Sequence, residues 1–321
     1  MRSRFALVRH IASALITLSM TGHAAASVSE IVAFGDSLSD TGNLFKLTSG
    51  TFFGGIPADP YYNGRFSDGL LAVEVMGYLM DVKVTSYAYG GAQTGPGNEA
   101  GAFLYNTGVS GQISTYTSQL HGQTPDANAL FFLWAGPNDF YTGNNMLNTS
   151  LAQLSSSNMV YDIHALFDAG ARNFFVPLMP DLSMTPDALS NTDAYRTAAH
   201  DRTVEFNSLL IDGIHTLEQT LPGLNVTIFD TPAFMDANIP LLRDKGFNVT
   251  DACYNTLTNQ VCPNEEQYVF WDDVHPSAAT DWLLGSAFVA ATTVPEPGPA
   301  GLMLLGGLAL YGRVSTRLRK Q

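Results

Sequence analysis

The chain has 321 residues, 45% of them hydrophobic and 14% charged, with 15 Lys and Arg against 29 Asp and Glu and a net charge of −14 at neutral pH. The two ends hold seven of those cations and one of the carboxylates, so the stretch between them carries 8 Lys and Arg against 28 Asp and Glu. A polyanion with no basic patch is unsuited to binding nucleic acid or anionic lipid head groups by charge.

At the start, Arg2, Arg4 and Arg9 flank an apolar run from Ile11 to Met20, and Ala24-Ala25-Ala26 follows. Basic leader, short apolar run and Ala-x-Ala site describe a secretory signal peptide over residues 1–26, cleaved before Ser27. The other reading is a membrane anchor, but the run falls short of the ~20 apolar residues of a span. Ile31-Val32-Ala33-Phe34 then reads as a short buried strand that breaks at Gly35 into a polar loop carrying Ser37. In open α/β folds the carboxyl edge of the sheet is where ligands bind, so Ser37 is the candidate nucleophile.

Residues 44–66 are rich in Gly, Pro, Tyr and Phe and show no periodicity. A long loop in a compact domain is usually functional, here either as an aromatic wall over the site or as a surface loop with tucked rings. Ser67-Asp68 reads as a helix start, with Leu70, Val73, Met76 and Leu79 on a helix ending near Met80. A strand over 81–85 runs on to Gly90-Gly91, where backbone N–H groups can approach a ligand with no side chain in the way. A Gly- and Asn-rich loop over 95–110 precedes a short helix over 111–120. Loops 44–66 and 95–110 are expected to shape the substrate pocket.

The run 129–135 is apolar on both faces, as a central parallel strand should be, and ends at Gly136-Pro137-Asn138-Asp139. A helix over 150–169, a strand over 173–178, a helix over 192–221 and a strand over 225–229 follow. A looser segment carries the cysteines, and the last helix spans 277–290. Strands alternating with helices predict a single α/β domain over residues 27–293, with about five parallel strands covered by helices on both faces.

Cys253 and Cys262 are the two cysteines. In an exported protein a close pair forms a disulfide, which contributes about 2–3 kcal/mol if unstrained; two free thiols are the alternative. No Cys or His pair has metal-ligand spacing nearby, and no cofactor or metal is expected.

A serine nucleophile needs a base, a carboxylate behind the base and donors for the oxyanion. His275, in Trp271-Asp272-Asp273-Val274-His275-Pro276, is the candidate base, with Asp272 three residues ahead to orient it and Asp273 as competitor. Asp212 and His215 repeat the Asp-x-x-His spacing but lie inside a helical pattern. His121, His164 and His200 have no partner in sequence. Oxyanion donors are the Ser37 and Gly91 backbone N–H groups and the Asn138 amide. The Gly-x-Ser-x-Gly elbow is absent around Ser37, as are the phosphate-binding glycine motifs after the first strand.

These residues form ordered blocks: Gly35-Asp36-Ser37-Leu38-Ser39-Asp40-Thr41-Gly42-Asn43, Tyr87-Ala88-Tyr89-Gly90-Gly91-Ala92, Gly136-Pro137-Asn138-Asp139 and Asp272-Asp273-Val274-His275-Pro276. In them the chain resembles the GDSL, or SGNH, esterases and lipases over nearly all of 30–291. Gly64-Arg65-Phe66-Ser67-Asp68-Gly69 and Pro180-Asp181-Leu182 resemble the subfamily of plant-type GDSL lipases and bacterial lipase/acyltransferases. The resemblance implies an SGNH-hydrolase-like three-layer fold with Ser37 as nucleophile, His275 as base, Asp272 orienting it, and Ser37, Gly91 and Asn138 at the oxyanion. It departs at Ser86, where Asn is usual. It implies a serine esterase or lipase that hydrolyses carboxylic esters of lipids or small alcohols through an acyl-enzyme. A lipid acyltransferase using the same residues and a non-catalytic surface or matrix binding module remain as alternatives.

At the far end, Val294-Pro295-Glu296-Pro297-Gly298-Pro299 leads into an apolar run from Ala300 to Tyr311 and then Arg313, Arg317, Arg319 and Lys320. Residues 294–321 resemble the PEP-CTERM sorting signal of Gram-negative bacteria. That resemblance implies transient membrane contact through the tail, cleavage by an exosortase, and an extracellular or cell-surface product. A plain C-terminal anchor is the alternative.

Overall fold

A computed structural model describes residues 28–143 and 145–293. The signal peptide and sorting tail assigned above lie outside the described residues, and no described helix is long and apolar enough to cross a membrane.

The elements, in chain order, are β1 (Glu30–Gly35), α1 (Asn43–Thr48), α2 (Ala72–Met80), β2 (Lys83–Ser86), α3 (Val109–Gln119), β3 (Leu130–Trp134), α4 (Pro137–Tyr141), α5 (Leu151–Asp168), β4 (Asn173–Pro177), α6 (Pro186–Ser190), α7 (Asp193–Thr220) and β5 (Asn225–Phe229). The remainder is α8 (Thr231–Asp244), β6 (Asn248–Ala252), β7 (Tyr254–Asn255), β8 (Gln260–Val261), β9 (Tyr268–Phe270) and α9 (Ala278–Thr293). Strands β1 to β5 form one parallel sheet in the order β2-β1-β3-β4-β5. The order reverses at β1, which puts the carboxyl ends of β1, β2 and β3 around one crevice, the place where open α/β sheets take ligands.

Alternate residues of each strand enter two separate cores. Val32, Phe34, Phe131 and Leu133 pack with α3, α5 and α7; Ile31, Ala33, Phe132 and Trp134 pack with α2 and α9. Both faces are covered, so the central strands β1, β3 and β4 are largely apolar runs, while the edge strands β2 and β5 are mixed. This is the α/β fold, with a five-stranded parallel sheet and helices on both faces, that the sequence predicts. Phe288 of α9 is fully buried and meets the rings of Phe132, Trp134, Phe175 and Phe229 at centroid distances of 4.8–5.8 Å.

The differences from expectation have local causes. Ser67-Asp68 does not start α2, which begins at Ala72. The Ser67 hydroxyl donates to Asp281 Oδ2 (2.9 Å) and Asp68 Oδ1 accepts from the Ala278 N–H (2.6 Å), so both residues hold the first turn of α9. Residue 81 is not strand: Asp81 closes α2 in the left-handed conformation, φ 55°. The looser segment contains a 14-residue helix, α8, which Pro240 conceals because an interior proline removes a helix hydrogen bond. Asp230 caps it by accepting from the Ala233 N–H at 2.9 Å, and Ile239 packs on Val249, Val269 and Phe270 of the small β6–β9 sheet. Sγ of Cys253 is bonded to Sγ of Cys262, next to the β7–β8 ribbon.

Replacing Phe288 by Ala removes the ring that four aromatic neighbours share. A loss of about 3–5 kcal/mol of stability is expected in chemical denaturation; a change under 1 kcal/mol would contradict this packing.

Candidate active site

β1 ends at Gly35 because β3 leaves no room for a side chain: a Cβ there would lie 2.2 Å from the Trp134 carbonyl oxygen. Gln112 of α3 holds the same glycine, accepting from its N–H at 2.9 Å and donating to its carbonyl at 2.7 Å. The loop after it is wound around Asp40. This buried carboxylate accepts from the N–H groups of Gly42, Asn43 and Leu44 and, across the crevice, from Gly90 at 2.8 Å. Burial outweighs those donors and raises its pKa to about 6. Asn43 ties the same loop to the segment after β2, donating to the Ser86 and Ala88 carbonyls. Ser86, where Asn is usual, donates to the Ser39 carbonyl at 2.6 Å and accepts from the Ala88 N–H, so it joins the two segments.

Ser37, 7% exposed, sits on this loop with its Oγ 2.8 Å from His275 Nε2. His275 Nδ1 lies 2.8 and 2.9 Å from the two carboxylate oxygens of Asp272. The tautomer that satisfies both contacts carries its proton on Nδ1 and leaves Nε2 to accept from Ser37. Asp272 also accepts from the backbone N–H groups of Val274 and His275 and from the Tyr61 hydroxyl at 2.6 Å. Of the two candidate carboxylates, Asp272 is buried against the ring and Asp273 is exposed.

Gly91 and Asn138 line the same cavity of about 390 Å³ as Ser37 and His275. Gly91 has φ +75°, and a Cβ there would meet Asn98 Oδ1 at 2.6 Å. Asn98 in turn donates to the Gly90 carbonyl at 2.9 Å, which fixes the turn. The Asn138 amide donates one N–H to the Ala92 carbonyl at 3.0 Å; an amide has two, so one remains for a ligand.

Burial acts on two carboxyl groups and an imidazole here, and their partners set the outcome. It pulls the imidazolium of His275 down, but the charge and hydrogen bond of Asp272 outweigh it and leave the pKa above the usual 6.5. For Asp272 burial pushes upward, and His275, Tyr61 and Val274 bring the carboxyl below the ordinary carboxylate range. Asp36, beside Ser37, has one donor, the Leu38 N–H, and burial raises it to about 7. An acid, a base and a hydroxyl in line, with backbone and amide donors across the cavity, can attack a carbonyl carbon and hold the oxyanion that results. Among the described residues no group of His, Cys, Asp or Glu is placed to hold a metal ion.

Residues 31–288 match the family model described as GDSL-like Lipase/Acylhydrolase. The chain belongs to this family. It is 28% identical over 270 residues to the thermolabile hemolysin of Vibrio parahaemolyticus, covering 79% of this chain and 61% of that protein, less than two thirds of its length. It is 29% identical over 321 residues to a GDSL esterase/lipase of Arabidopsis thaliana, covering 83% of this chain and 91% of the relative. Among solved structures, a lipolytic protein of the G-D-S-L family from Veillonella parvula is 16% identical, with a TM-score of 0.45, and the match covers 83% of this chain and 98% of that one.

Sequence reasoning in this GDSL chain missed some of the residues that hold the site. Tyr61 is 211 residues from Asp272, and nothing in Pro60-Tyr61-Tyr62 marks one tyrosine over the other. Its ring is held edge-on by Tyr254 (5.5 Å) and Trp271 (6.3 Å). Phe66 lies against the His275 ring at 5.1 Å. Gln112 carries no motif. The decoy pair Asp212 and His215 is exposed on α7, while His200 pairs with Asp181 at 2.8 Å. Loops 44–66 and 95–110 give the cavity only Phe66 and Glu99. Most of its wall comes from residues 180–187, 231–239 and 269–284.

The Tyr61 hydroxyl draws charge from Asp272 that would otherwise stabilise the imidazolium. Tyr61→Phe is therefore expected to raise the His275 pKa above its already elevated value, read as an upward shift of the imidazole titration in NMR. An unchanged or lowered titration would refute that role.

Proposed function

We propose that this chain is an exported serine ester hydrolase that works through an acyl-enzyme on Ser37. The observation that carries the reading is the unbroken chain from Ser37 Oγ to His275 Nε2 (2.8 Å) and from His275 Nδ1 to Asp272 (2.8 Å), opening on a cavity. Membership of the GDSL-like lipase/acylhydrolase family supports the ester as the bond attacked.

His275 takes the Ser37 proton as Oγ attacks the ester carbonyl carbon. The Ser37 and Gly91 N–H groups and the free N–H of Asn138 receive the oxyanion. The alcohol leaves with the proton from Nε2, and water, deprotonated by the same nitrogen, releases the acid. Asp272 keeps the ring oriented and stays ionised throughout.

The neutral ring is the active form. Because Asp272 holds the pKa above 6.5, kcat/KM falls as pH drops through a value higher than that of a free imidazole. A fluorophosphonate is expected to label Ser37, and Ser37→Ala to lose both the label and at least a thousandfold in rate on p-nitrophenyl acetate. A folded protein that takes no label, or an alanine variant that matches it, would end this reading.

Export rests on the leader and tail of the sequence and is supported by the Cys253–Cys262 bond, which suits an oxidising compartment. Expressed in a Gram-negative host, the mature protein is expected to begin at Ser27 on N-terminal sequencing. A product that retains Met1 and stays in the cytoplasm would argue against it.

A further inference from the structure

Gly91 and Asn138, oxyanion donors of the proposed reaction, stand on separate segments. Gly91 follows β2, and Asn138 lies on α4, after β3. β1 runs between those two strands, so no ladder of the sheet joins them directly. Two strand spacings separate them, about 10 Å. Donors on such strands converge on one atom only if the loops beyond the strands are tied to each other. Gly91 is settled on its own side: Asp40 accepts from the Gly90 N–H at 2.8 Å, and Asn98 donates to the Gly90 carbonyl at 2.9 Å. Asn138 has to be brought to it.

The Asn138 amide donates to the Ala92 carbonyl at 3.0 Å. One bond is a hinge and leaves the second N–H free to swing. The next residue supplies another attachment. Both carboxylate oxygens of Asp139 accept from Thr94, Oδ2 from its N–H and Oδ1 from its hydroxyl, each at 2.9 Å. A carboxylate held by two donors of one residue is fixed in orientation as well as distance. Asn158 of α5 donates to Thr94 Oγ1 at 3.1 Å. A hydroxyl has one proton, so that of Thr94 is committed to Asp139. Both residues are buried, which shields these bonds from water. Asn145 donates to the Asp139 carbonyl at 3.0 Å and holds the turn from its far side.

We propose that Asp139 and Thr94 are positioning residues that hold the Asn138 amide in register with the Gly91 N–H. Neither touches the reacting atoms. The proposal rests on the ester-hydrolase reading and adds to it the part that sets the oxyanion geometry. Formation and hydrolysis of the acyl-enzyme both pass through an oxyanion. Loss of register therefore slows either step and leaves ester binding as it was. A misplacement of about 1 Å costs about a hundredfold.

The test compares Asp139→Ala, Asn138→Ala and the double variant on p-nitrophenyl acetate. The rate kcat is counted per Ser37 that takes a fluorophosphonate at saturation, which removes any unfolded fraction. Asp139→Ala is expected to lower kcat about a hundredfold, with KM within about threefold. The acid limb of its pH profile is expected to stay in place, because burial, Asp272, Asp36 and Glu99 set the His275 pKa. Added to Asn138→Ala, the same change is expected to cost less than about threefold, since a donor that is gone cannot be misplaced. Equal losses in both backgrounds, or an Asp139→Ala protein within about threefold of the unmodified one, would overturn the proposal. If Asp139→Ala does not fold, Thr94 carries the test. Thr94→Val is expected to lower kcat about tenfold and Thr94→Ser to restore it. Thr94→Val at the unmodified rate, or Thr94→Ser no faster than Thr94→Val, would overturn it equally. Failure of the unmodified protein on every ester, with Ser37 unlabelled, would instead overturn the esterase reading beneath it.

Discussion

A carboxylate taken out of water has to be met by donors, and Asp272, 3% exposed, is met by four: two backbone N–H groups, the His275 ring and the Tyr61 hydroxyl. The arrangement around Ser37 and His275 follows from satisfying that charge. The backbone donors fold residues 272–275 into a tight turn, and the turn aims Nε2 at Ser37. Tyr61 can reach only if its loop is drawn across the molecule, and the rings of Tyr254 and Trp271 fix it there. Cys253, beside Tyr254, is bonded to Cys262, so a covalent link stands directly behind the aromatic group that positions Tyr61.

The same solution recurs at the loop that carries Ser37. Asp40 gathers three N–H groups of its own loop and one from Gly90, joining the segment that carries Ser37 to the segment that carries Gly91. Asp281 takes the Ser67 hydroxyl and the Ala72 N–H, joining α9 to the chain before α2. Asp40 and Asp281 are thus joints between segments distant in sequence, and Asp40 joins the segments that carry Ser37 and Gly91.

The sheet was legible because its central strands β1, β3 and β4 are largely apolar runs, and β1 and β3 end in Gly and a small polar cluster. The order of those clusters was enough to put Ser37, Gly91 and Asn138 at one edge. Asp272 and His275 were legible because they are three residues apart, so one turn brings them together. What escaped was either long-range or disguised. Tyr61 acts on a partner 211 residues away, which no local pattern encodes. Ser67-Asp68 has the chemistry of a helix cap and is one, but for α9 instead of the helix next in sequence. Proline at position 240 hid α8, and with it the wall of the cavity. The loops expected to shape that cavity act mainly through Tyr61 and Phe66 on the catalytic turn.

Ser37 and His275 are 238 residues apart, and the helix that follows His275 is anchored by residues 67 and 68. A chain still emerging from the ribosome has its hydroxyl and most of its sheet, yet it lacks the base, the carboxylate and the last helix of the second core. The hydrogen-bonded line from Ser37 through His275 to Asp272 is therefore closed only once nearly the whole domain has been made.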